Sequence, residues 1–201
     1  VVALIFPETV DFNWKLLTHE IRAFLPHVEY VDLSGCELDE FPEFLFHLPN
    51  LREIDLSRNF IESVPGKISE LKNLEALYLE FNRLSRVDSN IESLQNLAIL
   101  NLNDNTSLKK VPRGVLNMPS LETLDLGFCG ISEVPTEIRN LKGLKSLSLD
   151  HNELSQVPTE LGDLIRLVFL DISHNYLENT PKIVRQMKVA EDKEVLSNGN
   201  P

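Results

Sequence analysis

Apolar and polar positions along this chain alternate in a frame that returns every 23 residues. The segment Leu144–Arg166 reads LKSLSLDHNELSQVPTELGDLIR, with leucine or valine at seven positions and an asparagine and a proline between them. Six copies of this frame have 23 residues, and the fourth has one extra residue within Thr106–Ser107. The seven copies begin at Val28, Leu51, Leu74, Leu97, Leu121, Leu144 and Leu167. A constant period of this length predicts a solenoid, in which stacked units share one core.

The first half of each copy predicts a short strand, and the second half predicts a turn onto the opposite side. Leu121, Leu124 and Leu126 show the L-x-x-L-x-L opening, whose last part alternates apolar and polar like a strand with one buried face. A proline follows the position of Val157 in six of the seven copies, as Pro42, Pro65, Pro112, Pro135, Pro158 and Pro181. Because proline lacks an N–H and has a fixed φ, it marks the turn away from the sheet.

The position that follows the strand has a predicted structural role. It holds an asparagine in five copies, at Asn59, Asn82, Asn105, Asn152 and Asn175. A side-chain amide has both donors and acceptors, so stacked copies can satisfy buried backbone groups there. Asn105 is also part of a glycosylation sequon, and we expect its amide to face inward. Cys36 and Cys129 hold this position in the other two copies, and we expect both to be buried and reduced, since about 19 Å would separate them.

These copies resemble the leucine-rich repeat family, whose pattern is LxxLxLxxNxLxxLPxxIxxL. The resemblance covers residues 28–189. It implies an α/β fold, namely a right-handed curved solenoid with a parallel β-sheet on the concave face and short helices or 3₁₀ turns on the convex face. It also implies a non-enzymatic protein–protein interaction module that serves as a signalling scaffold or effector.

The two ends of the chain depart from the pattern. Residues 1–27 begin with apolar residues spaced like those that follow Val28, and residues 11–25 have apolar side chains at helical spacing. We therefore expect an N-terminal cap of a strand plus a helix over 1–27. Seven repeats would then occupy 28–189. The polar segment 190–201 is expected to be a C-terminal tail or linker.

Composition and charge narrow the classes of partner. The chain is 42% hydrophobic and 25% charged, with a net charge of −12. This charge disfavours nucleic acid and anionic membranes and suits a basic protein partner. The longest apolar run, Val1–Phe6, is too short to span a bilayer. Two distant cysteines without cysteine-rich end caps favour a reducing compartment, so we expect a cytoplasmic chain. We also expect the chain to be monomeric by itself.

Positions 3, 5, 7 and 8 of each copy are expected to face or rim the concave side, where they would form the partner-binding surface. The predicted acidic members are Asp32, Glu53, Asp55, Glu80, Asp104, Asp125, Asp150 and Asp171. The other predicted members are Tyr30, Arg58, Tyr78, Phe81, Asn101, Asn103, Phe128, His151, Phe169 and His174. Like charges on neighbouring strands repel, so folding alone does not explain the aspartates, whereas a basic partner would. The alternative interpretation is that the outer side of a strand must be polar and that the whole chain is acidic.

Candidate chemistry is sparse, and we expect neither an enzyme nor a cofactor. The sequence contains no glycine-rich phosphate loop, clustered cysteines or HExxH. His151 and His174, about 5 Å apart on adjacent strands and near two aspartates, could hold zinc, but such pairs more often form a solvated rim, so we expect no metal. An alternative function is substrate recognition within a larger enzyme, such as a ligase, cyclase or kinase. Phe44 and Phe46, which are surplus to the repeat pattern, mark a competing interface on the outer side.

Overall fold

A computed structural model describes residues 2–5, 25–178, 182–189 and 193–201 as a stack of parallel strands. The main sheet has nine parallel strands, which lie side by side in the order in which they occur along the chain. Their bounds are β1 Val2–Ile5, β2 Val28–Asp32, β3 Glu53–Asp55, β5 Ala76–Tyr78, β7 Ile99–Asn101, β8 Thr123–Asp125, β9 Ser146–Ser148, β10 Phe169–Asp171 and β11 Glu194–Leu196. A second, two-stranded parallel sheet pairs β4 Ser63–Val64 with β6 Arg86–Val87.

Short helices cover the side of the core opposite the main sheet. The 3₁₀ helices are η1 Glu43–His47, η2 Gly66–Glu70, η3 Ser89–Ser93, η4 Val115–Asn117, η5 Thr136–Asn140 and η6 Thr159–Asp163. An α-helix, α1, spans Lys182–Val189. The expected architecture, a solenoid with a parallel sheet on the concave face and 3₁₀ turns on the convex face, is therefore confirmed.

The strands pair in the register that the repeat frame predicts. Leu124 lies opposite Leu100 on one side and Leu147 on the other, and all three side chains are fully buried. The residues that follow them in each strand point to the other face and are half-buried. Each 3₁₀ helix adds at least one buried apolar side chain, such as Ile91 of η3 and Ile138 of η5. The core is thus a continuous apolar layer between the sheet and the helices.

Proline sets the turn onto the convex side, and Asp88 replaces it in the third repeat. Pro65 and Pro135 precede their 3₁₀ helices with φ of −78° and −65°. Asp88 has a similar φ of −64°, and its side chain accepts a hydrogen bond from the Asn90 N–H at 3.0 Å. Its own N–H donates to the Val64 carbonyl at 3.1 Å, beside the β4–β6 pair. Hydrogen bonds thus hold the turn that the proline ring fixes elsewhere.

Buried asparagines connect each repeat to the one before it. The Oδ1 of Asn82 accepts the Ile61 N–H at 2.9 Å, and its Nδ2 donates to the Leu56 and Leu79 carbonyls at 2.8 and 3.1 Å. Asn59, Asn105, Asn152 and Asn175 bond equivalent groups of their own repeats and of the preceding ones. The amide of Asn105 is fully buried, so the sequon faces the core, as expected.

Cys129 occupies the asparagine position, and its thiol replaces the donor group of the amide but not the acceptor. Its Sγ donates to the Leu102 and Gly127 carbonyls at 3.2 and 3.3 Å, which matches the donor side of an asparagine. A thiol is a weak acceptor and cannot replace the amide oxygen. The Leu108 N–H, which that oxygen would have bonded, instead donates to the Asn105 carbonyl at 2.9 Å. The extra residue within Thr106–Ser107 builds this turn, so the insertion compensates for the missing amide in the next repeat.

The strand of the predicted N-terminal cap is present as β1. It pairs in parallel with β2, with a register shift between Val2 and Ala3. The predicted helix over residues 11–25 lies outside the described residues, apart from Leu25, which packs partly buried against the core.

The C-terminal segment differs from the predicted tail. Glu194–Leu196 forms β11, which pairs in parallel with β10. Asn200 takes the asparagine position of this unit, because its Oδ1 accepts the Asn175 N–H at 3.1 Å and its Nδ2 donates to the Ile172 carbonyl at 3.0 Å. Residues 193–201 therefore form a strand and the turn that follows it rather than the expected tail, because the apolar pair Val195 and Leu196 is too short to predict a strand.

Truncating one buried leucine should destabilise the whole stack. We expect Leu124→Ala to lower the free energy of unfolding by about 2–5 kcal/mol, because neighbouring leucines cannot fill the cavity. The matched control is Ile165→Ala, a similar truncation of a side chain that is 82% exposed, which should change it by about 0.5 kcal/mol or less. Urea unfolding followed by circular dichroism measures both. A Leu124 loss no larger than the control loss would show that the register is wrong.

Cys129 should be unreactive in the folded chain. Burial raises the pKa of its thiol to about 12, well above that of an exposed cysteine. Because the thiolate is the reactive form, we expect labelling by an aromatic disulfide reagent to be at least about a hundredfold slower than in unfolded chain. Absorbance of the released thiolate, followed with and without denaturant, gives both rates. Equal rates would contradict the buried position.

Candidate protein-interaction surface

The predicted surface residues share one side of the main sheet or its carboxyl edge. Asp32 and Asp55 lie opposite each other in the β2–β3 pair, and Asn101 and Asp125 lie opposite each other in the β7–β8 pair. All eighteen side chains in the predicted set are at least partly accessible. Arg58, Phe81, Phe128, His151 and His174 are exposed, and the others are half-buried. The geometry therefore brings these residues together on one face, as the repeat frame predicts, and their role in binding stays a prediction.

The aspartates at position 5 have a structural role that the sequence analysis did not assign. The Oδ1 of Asp55 accepts the Ser57 N–H at 2.8 Å, and the Oδ1 of Asp125 accepts the Gly127 N–H at 2.9 Å. Asp32 and Asp171 make the same bond to the second residue after them. Asn101 does so with an amide oxygen, at 3.0 Å. Folding therefore explains a short polar acceptor at this position, which corrects the earlier inference, but Asn101 shows that a negative charge is not needed.

The four aspartates at position 5, Asp32, Asp55, Asp125 and Asp171, are called the aspartate row below. Their charge is not neutralised within the described part of the chain. The ion pairs there between acidic side chains and lysine or arginine are Arg52–Glu75, Lys67–Glu43, Lys109–Glu153 and Lys145–Glu122. None of them includes an aspartate of the row. Burial raises the pKa of the Asp125 carboxyl, and the nearby charges of Asp150 and Asp171 raise it further. The predicted surface thus carries a net negative charge, because its eight acidic side chains face one cationic residue, Arg58.

Glu80 is a partly buried carboxylate of this face whose hydrogen bonding is incomplete among the described residues. Its Oε2 is buried and has no hydrogen-bond partner among the described residues. Burial raises the pKa of this carboxyl, and the charges of Asp55 and Asp125 add to the rise, against a smaller opposing effect of Arg58. A cation brought to the concave face would stabilise its charged form.

The residues at position 8 adopt an unusual backbone conformation along the carboxyl edge of the sheet. Six residues have φ between 51° and 56°, namely Arg58, Phe81, Asp104, Phe128, His151 and His174. Such left-handed conformations cost about 1–3 kcal/mol each for residues other than glycine. The N–H of each donates to the next unit, as Phe128 does to the Asp150 carbonyl at 3.0 Å. Gly35 and Gly199 at the same position were the sequence signal for this conformation.

This shared conformation stacks the exposed rings of successive repeats. The ring centroids of Phe128 and His151 are 4.0 Å apart, and those of His151 and His174 are 4.1 Å apart. The guanidinium of Arg58 lies 5.7 Å from the Phe81 ring centroid. The His151 Nδ1 lies 2.8 Å from the Asp150 carboxylate. The two histidines are therefore neighbours, as expected, but they stack face to face.

Two further features bear on the alternatives. Within the residues that the structure describes, no three or more His, Cys, Asp or Glu side chains form a group suited to a metal ion. In the same part of the chain, no helix combines the length and apolarity needed to cross a bilayer. Phe44 is fully buried and Phe46 is 8% exposed, with its ring stacked on Phe41 at 5.4 Å. The competing interface predicted at Phe44 and Phe46 was therefore wrong, because both rings belong to the core.

Comparison with known proteins shows the family. The leucine rich repeat family model matches residues 26–84 and 119–177, more than half of the chain. This chain belongs to the leucine-rich repeat family. Domains of this family are a common protein–protein interaction module, and their curved stacks form extended concave binding surfaces. A search of curated proteins finds no match.

Two solved structures show how far the similarity extends. A leucine-rich repeat protein of Leptospira interrogans is 32% identical, with a TM-score of 0.81, over 90% of this chain and 45% of that chain. A chain in the structure of the Arabidopsis receptor kinase HAESA with the peptide hormone IDA and the co-receptor SERK1 is 25% identical, with a TM-score of 0.66. That match covers 78% of this chain and 27% of the other. The chain thus spans less than half the length of either similar chain.

Removing the charge of Glu80 should stabilise the fold in a pH-dependent manner. The pKa of Glu80 is raised in the folded chain, so protonation of this carboxyl stabilises the fold. The stabilisation is complete below the pKa of unfolded glutamate, about 4.3, and is lost as pH rises through the pKa of the folded chain. We expect Glu80→Gln to raise the free energy of unfolding at pH 7 by about 0.5–2 kcal/mol, and to have a much smaller effect at pH 4.

Urea unfolding at both pH values tests this expectation. Glu133→Gln, which removes an exposed carboxylate, is the matched control and should change stability little at either pH. A Glu80→Gln effect that is unfavourable at pH 7, or equal at the two pH values, would contradict the burial of a strained charge.

Proposed function

We propose that this chain is a non-enzymatic protein–protein interaction module whose concave face binds a partner with a basic surface. The uncompensated row of Asp32, Asp55, Asp125 and Asp171 is the observation that supports this proposal. Asn101 makes the same backbone hydrogen bond as the aspartates do, so the charges exceed what the fold requires. Oppositely charged surfaces steer association and select the partner.

The exposed rings of position 8 support the same surface. Phe81 and Phe128 are 49% and 38% exposed, and a fixed left-handed backbone holds each at the carboxyl edge of the sheet. Rigid aromatic side chains beside a charged groove are typical anchors of protein interfaces. We propose that the module acts as a monomeric signalling scaffold or effector in the cytoplasm, a location that the two buried free cysteines favour.

A second candidate is the recognition part of a larger protein. The observation that favours it is the match to 27% of a chain in the structure of a receptor kinase with its peptide hormone and co-receptor. The concave face would then select a ligand for another domain, and its charge would act in the same way.

Neutralising two aspartates of the row should weaken binding of a basic peptide without unfolding the chain. The variant Asp55→Asn/Asp125→Asn keeps the side-chain acceptor, as Asn101 does. We expect the dissociation constant of a fluorescent peptide of eight arginines to rise about 2- to 30-fold, since each of the two lost charge contacts is worth about 0.2–1 kcal/mol. Fluorescence anisotropy at two salt concentrations measures the constant, and a thermal melt checks the fold.

The matched control places the same change of charge on the convex face. Glu70→Gln/Glu137→Gln removes two exposed carboxylates from η2 and η5. We expect it to change the dissociation constant less than 2-fold, in keeping with screening over about 10 Å at 0.1 M salt. Equal losses in the two double variants would show that net charge alone attracts the peptide and would overturn the assignment to the concave face.

A further inference from the structure

A cavity of about 360 Å³ lies at the edge of the main sheet where the strands begin. It spans four successive units, from β2 to β7, and we call it the tyrosine cup. Its lining includes Glu29, Tyr30, Glu53, Ala76, Tyr78 and Ala98. The cup is at the opposite edge of the sheet from the stacked rings of Phe128, His151 and His174, which follow the strands.

The cup exists because small side chains interrupt two rows of larger ones. Ala76 lies in register between Glu53 of β3 and Ile99 of β7. Ala98 interrupts the second row, because the same position holds Arg52 and Glu75 in the two preceding repeats. The longer side chains on either side of the two alanines therefore extend further from the sheet than the alanines do, which leaves a hollow between them. This hollow is a consequence of two alanines at positions where the frame accepts long residues.

The two tyrosines flank a carboxylate that has no cationic partner. Tyr30 and Tyr78 belong to strands on either side of β3, which carries Glu53. Burial raises the pKa of Tyr30 to about 12, and the charges of Asp32, Asp55 and Glu53 add to that rise. Burial also raises the pKa of Tyr78, with Glu53 as the largest charge effect. Glu53 is thus close enough to both phenols for its charge to act on each of them.

The charged side chains that line the cup carry a net negative charge. Three carboxylates, those of Glu29, Glu53 and Glu75, line it together with one guanidinium, that of Arg52. Arg52 is paired with Glu75. Within the described ranges of the chain, Glu29 and Glu53 take part in no ion pair. A cation that entered the cup would therefore meet the carboxylates of Glu29 and Glu53 and the rings of Tyr30 and Tyr78.

We propose that the tyrosine cup receives an arginine side chain of the basic partner. Arginine fits this lining better than lysine, because a planar guanidinium stacks on aromatic rings and also bonds carboxylates with several N–H groups. The proposal rests on the proposed function, since the arginine would belong to the surface that the concave face binds. It adds a specific anchor at the amino edge of the sheet to a contact that is otherwise governed by the aspartate row.

Short blocked peptides test the cup without a known partner. The probe is acetyl-Gly-Arg-Gly-amide, and the control probe carries citrulline, which has the shape of arginine without its charge. We expect the arginine peptide to shift the backbone amide signals of Ala76 and Tyr78 in a saturable NMR titration, and the citrulline peptide to leave them unchanged. A matching lysine peptide should bind more weakly than the arginine peptide.

Two variants assign the binding to the cup. Glu53→Gln keeps the shape and removes the unpaired charge, so the arginine peptide should bind about 1.4- to 5-fold more weakly, the range expected for one exposed charge contact. Ala76→Ile raises the floor with the residue type that Ile99 supplies in the next repeat, and it should abolish the shifts. Glu133→Gln, which removes an exposed carboxylate outside the lining of the cup, should have no effect. Equal binding of citrulline, or full binding by Glu53→Gln, would overturn the proposal.

The outcomes for the cup and for the proposed function can be told apart. Loss of the arginine-peptide signal with retained, Asp55- and Asp125-dependent binding of the eight-arginine peptide would overturn the cup and leave the concave-face function standing. Saturable binding of the arginine peptide, with equal losses in the concave and convex double variants, would support the cup and overturn the wider acidic interface.

Discussion

The buried amide at the end of each strand is the interaction on which the rest of this structure depends. No single repeat can enclose its leucines, so the core forms only when repeats stack. Stacking buries backbone groups at the point where the chain leaves the sheet, and an unpaired buried group of this kind costs about 1–3 kcal/mol. Asn82 and its equivalents bond these groups within the repeat and across to the preceding one. The constraint explains both the constant period and its one exception, since the inserted residue within Thr106–Ser107 precedes the repeat in which Cys129 replaces the amide.

The same constraint determines where functional side chains can lie. A fixed register sets position 5 of each repeat beside position 5 of the next, so that like side chains form rows. In five units a short side-chain acceptor at this position bonds the turn that follows, and both asparagine and aspartate supply one. A choice of aspartate in four units is therefore compatible with folding yet adds charge that folding does not require. This excess is the physical basis for assigning a basic partner, and the alanines of the tyrosine cup are a second departure that packing does not demand.

Much of this arrangement could be predicted from the sequence, because a strict period fixes the strand, the buried leucines and the row of aspartates together. Local hydrogen bonding could not be predicted in the same way. The acceptor role of Asp55 depends on the φ and ψ of the turn after it, and the left-handed conformation of Phe128 and His151 opposes their intrinsic preferences. Phe44 and Phe46 looked surplus because the pattern counts one core position where the first repeat fills three. The strand Glu194–Leu196 was missed because a single apolar pair, Val195 and Leu196, carries its signal.

We propose that the acidic concave face, rather than acidity spread over the chain, holds the partner. Zero-length carbodiimide cross-linking to a peptide of alternating lysine and glycine tests this most directly, because the reagent joins a carboxylate to an amine only where the two are in contact. Mass spectrometry of the digested product locates the joined residues. We expect cross-links at Asp32, Asp55, Asp125 and Asp171 that disappear at high salt. Cross-links concentrated on the convex residues Glu70 and Glu137, with the row unmodified, would contradict it.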